Sequence, residues 1–348
     1  MLNEKERERY SRHLILDGFG EEAQLKLKSA KVLVVGAGGL GCPALLYLVS
    51  AGVGSIGLID DDIVSESNLQ RQVLYMTEDI GEVKVFAAEK RLKTLNPLVD
   101  VGSYYGRLTK DGALDIISSY DLVIDGSDNF ATRYLVNDAC VILNKPLVYG
   151  AIHKFEGQVS VFNYKNGPTY RCLFPEQPEA GEMPACGEVG VVGVLPGIIG
   201  TWQATEAIKI ITGIGEPLSG KLLSLNVLTN SINTFEIEVD QKNKEIKELG
   251  EYYFGCVTDF LTLENLNKLE MEETVQLIDV REKNEYVIKN LNGINIPISE
   301  LEDRIAELNP DLITVVHCKS GVRSKKAIEI IKEYYPGIEI YDLTEYNL

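Results

Sequence analysis

The pattern of apolar and polar residues is clearest where a short apolar run ends abruptly in glycines. Residues 32–35 are all valine or leucine, which predicts a strand buried on both faces. Gly36, Gly38 and Gly41 then match G-x-G-x-x-G, ahead of a helix predicted from about Leu40 to Ala51. Because the backbone N–H groups of such a turn and the helix dipole attract anions, this stretch predicts a site for nucleotide phosphate.

A second apolar strand, predicted from Ser55 to Ile59, leads into three consecutive aspartates. An acid that holds a ribose is expected about 20 residues beyond the glycine motif, and Asp60 has that position. Glycine-rich turns after strands are common, so the motif alone is weak evidence. Strand, helix and acid together favour nucleotide binding and leave the identity of the nucleotide open.

Amides and cations follow the aspartates, in Ser67-Asn-Leu-Gln-Arg71 and at Lys84 on a predicted helix. A triphosphate that loses pyrophosphate needs positive charge at its far end, which Arg71 and Lys84 could supply. The alternative is that both are ordinary surface cations.

The predicted strand Asp121–Asp125 ends in Gly-Ser-Asp-Asn, at the edge where ligands bind in open α/β sheets. Asp128 is therefore a candidate for holding Mg²⁺ or a substrate group. The alternative role for Asn129 is to cap the helix that follows. The alternative role for Asp125 is to stabilise the local structure.

Later alternation of apolar and polar residues, at 157–163 and 221–238, is typical of antiparallel strands. The fold class predicted for this part is α/β, with a Rossmann-like, doubly wound mixed sheet. A helix is predicted from Gly193 to Thr212, and residues 3–28 predict two helices with a break near 17–20.

The length of 348 residues favours two domains, and 45% hydrophobic with 25% charged residues is typical of a soluble globular chain. The formal net charge of −18, with no basic block, argues against a nucleic-acid partner. No signal or transit peptide is visible, and the most apolar stretch, 189–202, is shorter than a membrane span. We expect a cytoplasmic protein with no membrane partner, whose six scattered cysteines are reduced thiols.

The composition becomes polar at Asp240, which predicts domains at 1–240 and 257–348 joined by a linker at 241–256. In the second domain the predicted strands 275–280 and 312–317 precede Cys318, and a helix is expected from about Lys325. Backbone N–H groups and the helix dipole at such a position favour a thiolate or persulfide. Phosphatases with a similar loop have five residues between cysteine and arginine, and the four residues here suit sulfur transfer better. The alternative is a packed core thiol.

These motifs resemble two known families. Residues 5 to about 240 resemble the MoeB/ThiF branch of the ubiquitin-activating-enzyme-like superfamily, and the C-terminal domain resembles a small α/β rhodanese domain. The residues that carry the resemblance are Arg9-Tyr-Ser-Arg12, Gly36-Ala-Gly-Gly-Leu-Gly41, Asp60-Asp-Asp, Ser67-Asn-Leu-Gln-Arg71, Lys84, Ser127-Asp-Asn, Tyr170-Arg-Cys172, Ala185-Cys186-Gly-Glu, Leu277-Ile-Asp-Val-Arg281, Asn295-Ile-Pro297 and Cys318 to Arg323.

The resemblance implies ATP-dependent adenylation of the C-terminal Gly-Gly of a ubiquitin-like sulfur carrier (MoaD/ThiS-like), with Mg²⁺ as cofactor. It implies a homodimer in which Arg12 reaches into the partner subunit's site. The implied nucleotide-binding residues are Gly36, Gly38, Gly39, Gly41, Asp60, Asn68, Gln70, Arg71, Lys84, Ser127, Asp128 (with Mg²⁺) and Asn129. The implied persulfide loop is Cys318, Lys319, Ser320, Gly321, Val322 and Arg323.

Two cysteine positions extend this prediction. Many family members bind zinc through two Cys-x-x-Cys pairs, but here Thr169 replaces one cysteine of the first pair and Cys256 has no mate, so we expect no zinc. Cys186 lies in an irregular loop, and the resemblance makes it the cysteine that can link covalently to the carrier. An inert thiol is the alternative for Cys186.

The sequence therefore predicts an adenylyltransferase and sulfurtransferase. Its first domain adenylates the carrier, and Cys318 delivers persulfide sulfur, from thiosulfate or a cysteine desulfurase, to give the carrier thiocarboxylate. The catalytic residues predicted are Cys318, Cys186, Arg12, Arg71, Lys84 and Asp128. An NAD-dependent oxidoreductase and a non-catalytic nucleotide-sensing scaffold are the rival interpretations. Carrier and pathway, molybdopterin, thiamin or another, stay open.

Overall fold

The computed structural model describes residues 1–177, 190–252, 259–260, 266, 269, 274–318 and 322–343. The chain divides into two compact units, Met1–Gly255 and Cys256–Leu348. None of the helices in the described ranges combines the length and apolar character needed to cross a bilayer.

The first unit is a layered α/β domain. Its helices are α1 Glu4–Arg9, α2 Ser11–Leu14, α3 Gly20–Ser29, α4 Gly41–Ala51, α5 Lys84–Leu95, α6 Lys110–Ser118, α7 Phe130–Ile142, α8 Tyr170–Leu173 and α9 Val194–Thr212. Its strands are β1 Lys31–Val35, β2 Ser55–Asp60, β3 Asp100–Tyr105, β4 Leu122–Asp125, β5 Leu147–His153, β6 Glu156–Phe162, β7 Lys221–Asn226 and β8 Ser231–Glu236.

These strands form one eight-stranded sheet in the order β3-β2-β1-β4-β5-β6-β7-β8. The strands β1 to β5 pair in parallel, and β6, β7 and β8 add antiparallel pairs. The predicted mixed, Rossmann-like sheet is therefore confirmed. The strand order reverses between β1 and β4, which is where open α/β sheets bind ligands.

Two apolar layers cover this sheet. The buried valine and leucine side chains of β1 alternate between them, with Val32 and Val34 in one layer and Leu33 and Val35 in the other. A strand buried on both faces has no polar positions, which explains the uninterrupted apolar run in the sequence.

The second unit is a smaller α/β domain. Its strands are β9 Asp259–Phe260, β10 Val275–Asp279, β11 Ile294–Asn295, β12 Ile313–His317 and β13 Ile340–Leu343, and its helices are α10 Lys283–Ile288 and α11 Val322–Tyr334. The sheet order is β11-β10-β12-β13-β9, with every pair parallel. The helix after Cys318 begins three residues earlier than expected, at Val322.

The segment expected as a linker packs against the first unit. Asn243 donates its side-chain N–H to the carbonyl of Arg171 at 3.1 Å, and the Tyr252 hydroxyl donates to Asp138 at 2.8 Å. Residues 241–252 therefore extend the first unit beyond the end of β8.

Candidate functional site

The phosphate turn after β1 needs glycine for steric reasons. Gly36 has a φ of +93°, and a Cβ at this position would lie 2.7 Å from the Gly126 carbonyl oxygen. A Cβ on Gly41 would lie 1.9 Å from the Gly36 carbonyl oxygen. The turn after β1 and the turn after β4 are therefore in backbone contact, and helix α4 begins directly against both.

Asp60 anchors this turn from the end of β2. Its Oδ2 accepts the Ala37 N–H at 2.7 Å, and its Oδ1 accepts the Asp62 N–H at 2.9 Å. Burial raises the pKa of Asp60, while Lys84 and the two N–H groups oppose that rise. The carboxylate thus lies beside the glycines, as the motif spacing predicts.

Lys84 brings positive charge to the same edge. It opens α5, its side chain is only 4% exposed, and its Nζ lies 2.7 Å from Asp62 Oδ2, whose side chain is 68% exposed. A nearly buried cation with a solvent-exposed partner can exchange that partner for another anion at little cost. Arg71 is half-buried and donates from Nη1 to the Ser67 carbonyl at 3.0 Å.

In the turn after β4, several side chains stabilise the turn itself and one is exposed and available to a ligand. Ser127 donates to Asp125 Oδ1 from N–H at 2.9 Å and from its hydroxyl at 2.6 Å, and Asn129 caps α7 by accepting the Thr132 N–H at 2.9 Å. The buried Asp125 and the capping Asn129 thus have structural contacts. The Asp128 side chain between them is exposed.

Other expected residues differ in their surroundings. A Cβ on Gly39 would lie 3.1 Å from Pro196 Cβ and 3.7 Å from Arg71 Cδ, so Gly39 lies between α9 and Arg71. Asn68 Oδ1 accepts the Ser65 N–H at 3.2 Å, a contact within its own turn, and Gln70 is exposed. The described contacts give Arg12, exposed on α2, no place in this site.

Three further residues support the site and are not predicted from the sequence. Gln72 is 3% exposed, and its Nε2 would lie 3.7 Å from a Cβ on Gly38. The Tyr75 hydroxyl donates to the Ala37 carbonyl at 2.8 Å, and Gln203 Nε2 donates to the Asp125 carbonyl at 2.6 Å. Gln72 directly follows the motif Ser67-Asn-Leu-Gln-Arg71 in the sequence. Nothing in the sequence connects Gln203 with the turn after β4.

Cys172, the remaining cysteine of the first expected zinc pair, has local partners. Its sulfur lies 3.3 Å from the Thr169 N–H nitrogen, 3.5 Å from the Thr169 hydroxyl and 3.7 Å from the Asp240 carbonyl. In the described ranges, one cluster of histidine, cysteine or acidic side chains brings three possible metal-ligand atoms within 4.8 Å of one another. It consists of Asp60, Asp61 and Asp62.

In the second unit, Cys318 directly follows β12, at the carboxyl end of the sheet. Its sulfur accepts the Ser324 N–H at 3.4 Å and lies 3.4 Å from the Ser324 hydroxyl, so the first turn of α11 supplies donors to it. The residue is 3% exposed. The Ser324 N–H is a donor of the kind that the strand–loop–helix pattern predicts around this sulfur.

Arginine–carboxylate pairs lie in the same unit. Asp279, at the end of β10, is bound by Arg281 through Nε and Nη2 at 3.0 and 2.6 Å. Arg323 donates from Nη1 and Nη2 to the two carboxylate oxygens of Glu285 at 2.6 and 2.9 Å. His317 is buried, which lowers its pKa.

Four expected site residues lie outside the described residues. They are Cys186, Lys319, Ser320 and Gly321.

The two sites together define the class of this protein: a nucleotide-binding α/β domain joined in one chain to a sulfur-transfer domain. The model of the ThiF family matches residues 10–247, and that of the rhodanese-like domain matches residues 262–344. The chain belongs to the ThiF family and carries a C-terminal rhodanese-like domain.

Known relatives match either nearly the whole chain or about two thirds of it. The chain is 44% identical over 352 residues to the probable adenylyltransferase/sulfurtransferase MoeZ of Mycobacterium tuberculosis, covering 95% of this chain and 90% of MoeZ. It is 55% identical over 238 residues to the sulfur carrier protein adenylyltransferase of Thermus thermophilus, covering 67% and 88% of the two chains. The solved structure of E. coli MccB with ATP matches 68% of this chain and 73% of its own at a TM-score of 0.59 and 22% identity, a likeness of fold.

The chain is accordingly an enzyme, an adenylyltransferase and sulfurtransferase. These comparisons favour the activating-enzyme prediction over an oxidoreductase or a non-catalytic scaffold.

Proposed function

We propose that this enzyme uses ATP to adenylate the C-terminal glycine of a ubiquitin-like sulfur carrier and then transfers sulfur from a Cys318 persulfide to give the carrier thiocarboxylate. The observation that carries the proposal is the nearly buried Lys84 beside a phosphate turn at the point where the strand order reverses. The names of the relatives, an adenylyltransferase/sulfurtransferase and a sulfur carrier protein adenylyltransferase, support the same substrates.

Adenylation requires the first unit to position the substrates and to supply positive charge, and it requires no strong base. The carrier carboxylate attacks the α-phosphate, and pyrophosphate leaves with its negative charge. We assign the ribose to Asp60, the phosphates to the backbone of the glycine turn, and the developing charge to Lys84 and Arg71. Lys84 then exchanges its exposed partner Asp62 for phosphate oxygen.

We assign Mg²⁺ to Asp128. Its exposed carboxylate, in the turn that contacts the phosphate turn, is the hard oxygen ligand that Mg²⁺ prefers. When bound, the ion neutralises phosphate charge. We infer no zinc site, because the Cys172 sulfur contacts Thr169 and Asp240.

We infer a homodimer in which Arg12 completes the partner subunit's nucleotide site. Arg12 is exposed on α2, and the apolar side chains that follow it, Ile15 and Leu16, are 70% and 56% exposed. A cation flanked by exposed apolar side chains suits an interface between subunits.

Sulfur transfer uses the second unit. The Cys318 thiolate takes sulfane sulfur from thiosulfate or from a protein persulfide, and the resulting persulfide attacks the acyl-adenylate and displaces AMP. Cys186 is the residue we assign to resolving the acyl disulfide that then links enzyme and carrier. Its thiolate attacks the Cys318 sulfur, the carrier thiocarboxylate leaves with the electron pair of the broken S–S bond, and an external thiol reduces the resulting Cys186–Cys318 disulfide.

ATP–pyrophosphate exchange tests the adenylation step. We expect exchange that depends on a carrier ending in Gly-Gly and is lost when that carrier lacks its last glycine. No exchange with any carrier of this kind would refute the proposal. The dimer is tested by mixing Arg12→Ala with Lys84→Met: each is inactive alone, and mixed subunits regain part of the activity only if the arginine acts across the interface.

A further inference from the structure

Two buried side-chain amides fix the N-terminal segment that carries Arg12. We propose that Tyr10 and His13, which stand on either side of Arg12 in the sequence, are positioning residues that orient its guanidinium toward the nucleotide site of the partner subunit. The inference rests on the proposed homodimer and names the residues through which one subunit completes the site of the other.

The first anchor joins Tyr10 to the end of α4. Asn96 is fully buried, and its Nδ2 donates to the Tyr10 hydroxyl oxygen at 2.9 Å and to the Val49 carbonyl at 2.7 Å. One side-chain amide thus connects the residue two positions before Arg12 with one of the last carbonyls of the helix. Because a buried amide is costly to leave unpaired, both contacts are needed at once.

The Tyr10 ring is held by close packing as well. Its side chain is buried, and a Cβ on Gly52, the residue that ends α4, would lie 2.4 Å from Tyr10 Cζ and 2.5 Å from the hydroxyl oxygen. Gly52 has a φ of +83°, so both its conformation and its neighbour require glycine. The ring therefore has a fixed place against the end of α4.

The second anchor joins His13 to the same end of α4. The buried Gln24 donates from Nε2 to the Ala51 carbonyl at 2.8 Å, and its Oε1 lies 2.9 Å from His13 Nδ1. Since a carbonyl oxygen can only accept, His13 Nδ1 carries the proton in this contact. The His13 ring also packs against Phe19, with the ring centroids 4.9 Å apart.

Arg12 lies between these two fixed positions, and its own side chain is exposed. An arginine loses much rotamer freedom when it binds a phosphate, and a mobile backbone would add to that loss. Fixing the chain on both sides of Arg12 removes the backbone part of this cost. It also limits the directions in which the guanidinium can extend.

Both anchors attach to the end of α4 that is remote from the phosphate turn. Helix α4 begins at Gly41, directly against that turn, and its 11 residues span about 16 Å. The anchors bind its last residues, at Val49 and Ala51. This attachment favours a role for Arg12 in the site of another subunit over a role in the site of its own chain.

The test begins with the double variant Tyr10→Phe/His13→Ala in the full-length enzyme. It removes the acceptor of Asn96 and the donor to Gln24 and leaves Arg12 in place. We expect kcat for ATP–pyrophosphate exchange to fall on the order of tenfold, because a small displacement of a charge-stabilising group is enough for such a loss. Replacing His13 alone by asparagine, which keeps an N–H donor at the δ position, should retain most of the exchange.

Subunit mixing separates positioning from a general defect. The double variant keeps its own Lys84, so in a mixed dimer with Lys84→Met it receives a correctly held Arg12 from its partner. We expect the mixture to be more active than the sum of its two components. A variant whose own nucleotide site is damaged gains nothing from mixing.

Tyr120→Phe is the matched control. It removes another hydroxyl contact of a buried tyrosine in the same unit, with Tyr104 at 3.0 Å, and should keep its exchange. If the double variant is too unstable to purify, Tyr10→Phe alone gives the same comparison with a smaller loss.

Three results would overturn the inference: unchanged exchange in the anchor variants, a loss that mixing does not repair, or anchor variants that sediment as monomers. The last two would mean that the contacts support the chain's own site or build the interface, and do not orient Arg12. If Arg12→Ala itself gains nothing from Lys84→Met, the proposed dimer fails independently of the anchors.

Discussion

Replacing Lys84 should lower the rate of adenylation and leave the stability of the fold nearly unchanged. Its nearly buried ammonium pairs with the exposed Asp62, and in Lys84→Met the largely buried Asp60 still accepts the Ala37 and Asp62 N–H groups. We expect ATP–pyrophosphate exchange to fall by about 10²-fold and the free energy of unfolding to change by about 1 kcal/mol or less. Lys93→Met, on the same helix but with a half-exposed side chain paired to Glu89, is the control and should retain full exchange. Exchange within a few-fold of wild type in Lys84→Met would contradict the role assigned to the ammonium.

Glu285 should give the second unit a defined acid sensitivity. Its pKa is about 2 in the folded chain and lies near 4.3 in an unfolded chain. The unfolded state therefore binds the proton more readily, so the stabilisation is complete above about pH 5 and is lost as the pH falls from 4.3 toward 2. Hydrogen exchange of residues 283–288 should accelerate over this range in wild type, and Glu285→Gln should flatten that change. An identical pH dependence in both proteins would show that the pair does not stabilise the helix.

At the scale of elements, the contact between the turns after β1 and β4 depends on glycine. Gly41→Ala would bring a Cβ within 1.9 Å of the Gly36 carbonyl, so the helix start or the turn must move. We expect a loss of several kcal/mol of stability and loss of ATP binding, measured by urea denaturation and calorimetry. Gly112→Ala, inside α6 with ordinary contacts at 3.8 Å and beyond, should instead be neutral or stabilising by up to about 1 kcal/mol. Nucleotide binding at wild-type strength in Gly41→Ala would exclude the proposed cradle.

The corner around Cys172, where the family resemblance suggested half of a zinc site, is joined here by a buried carboxylate. Asp138 is 2% exposed and accepts Arg171 Nε and Nη2 at 2.7 and 2.8 Å and the Tyr252 hydroxyl at 2.8 Å. Asp138→Ala leaves a partly buried arginine without its counter-ion, and we expect it to cost about 3 kcal/mol. Tyr252→Phe removes one hydrogen bond and should cost about 1 kcal/mol. Denaturant titration checks both values, and equal small effects would show that the network is not what holds residues 241–252.

The same scale shows what sequence could and could not predict. Gly41, Asp60 and Cys318 were predicted from local patterns. Each lies at the end of a strand or the start of a helix, in a motif that is continuous in the sequence. Gln203 and Glu285 do not, since each reaches its partner through the packing of distant elements: Gln203 to Asp125, and Glu285 to Arg323. Residues 241–252 had the composition of a linker, and tertiary contacts such as those of Asn243 with Arg171 and Tyr252 with Asp138 show that they pack on the first unit.

For the whole molecule, the proposal that the enzyme has no zinc site has a direct consequence. Chelation should change neither the melting temperature nor the fold of the purified enzyme, and metal analysis should find no stoichiometric zinc. In a chain that used a zinc site, chelation would instead remove binding free energy that contributes to folding. A lower melting temperature after chelation, restored by zinc, would overturn this expectation.

The central claim is that one chain both activates the carrier and delivers its sulfur. The most direct measurement is mass spectrometry of a Gly-Gly carrier incubated with MgATP, a sulfur donor and either wild-type enzyme or Cys318→Ala. The account predicts that wild type converts the carrier to the thiocarboxylate, with one oxygen replaced by sulfur, whereas Cys318→Ala retains ATP–pyrophosphate exchange and forms no thiocarboxylate. Thiocarboxylate formation by Cys318→Ala at the wild-type rate would contradict it.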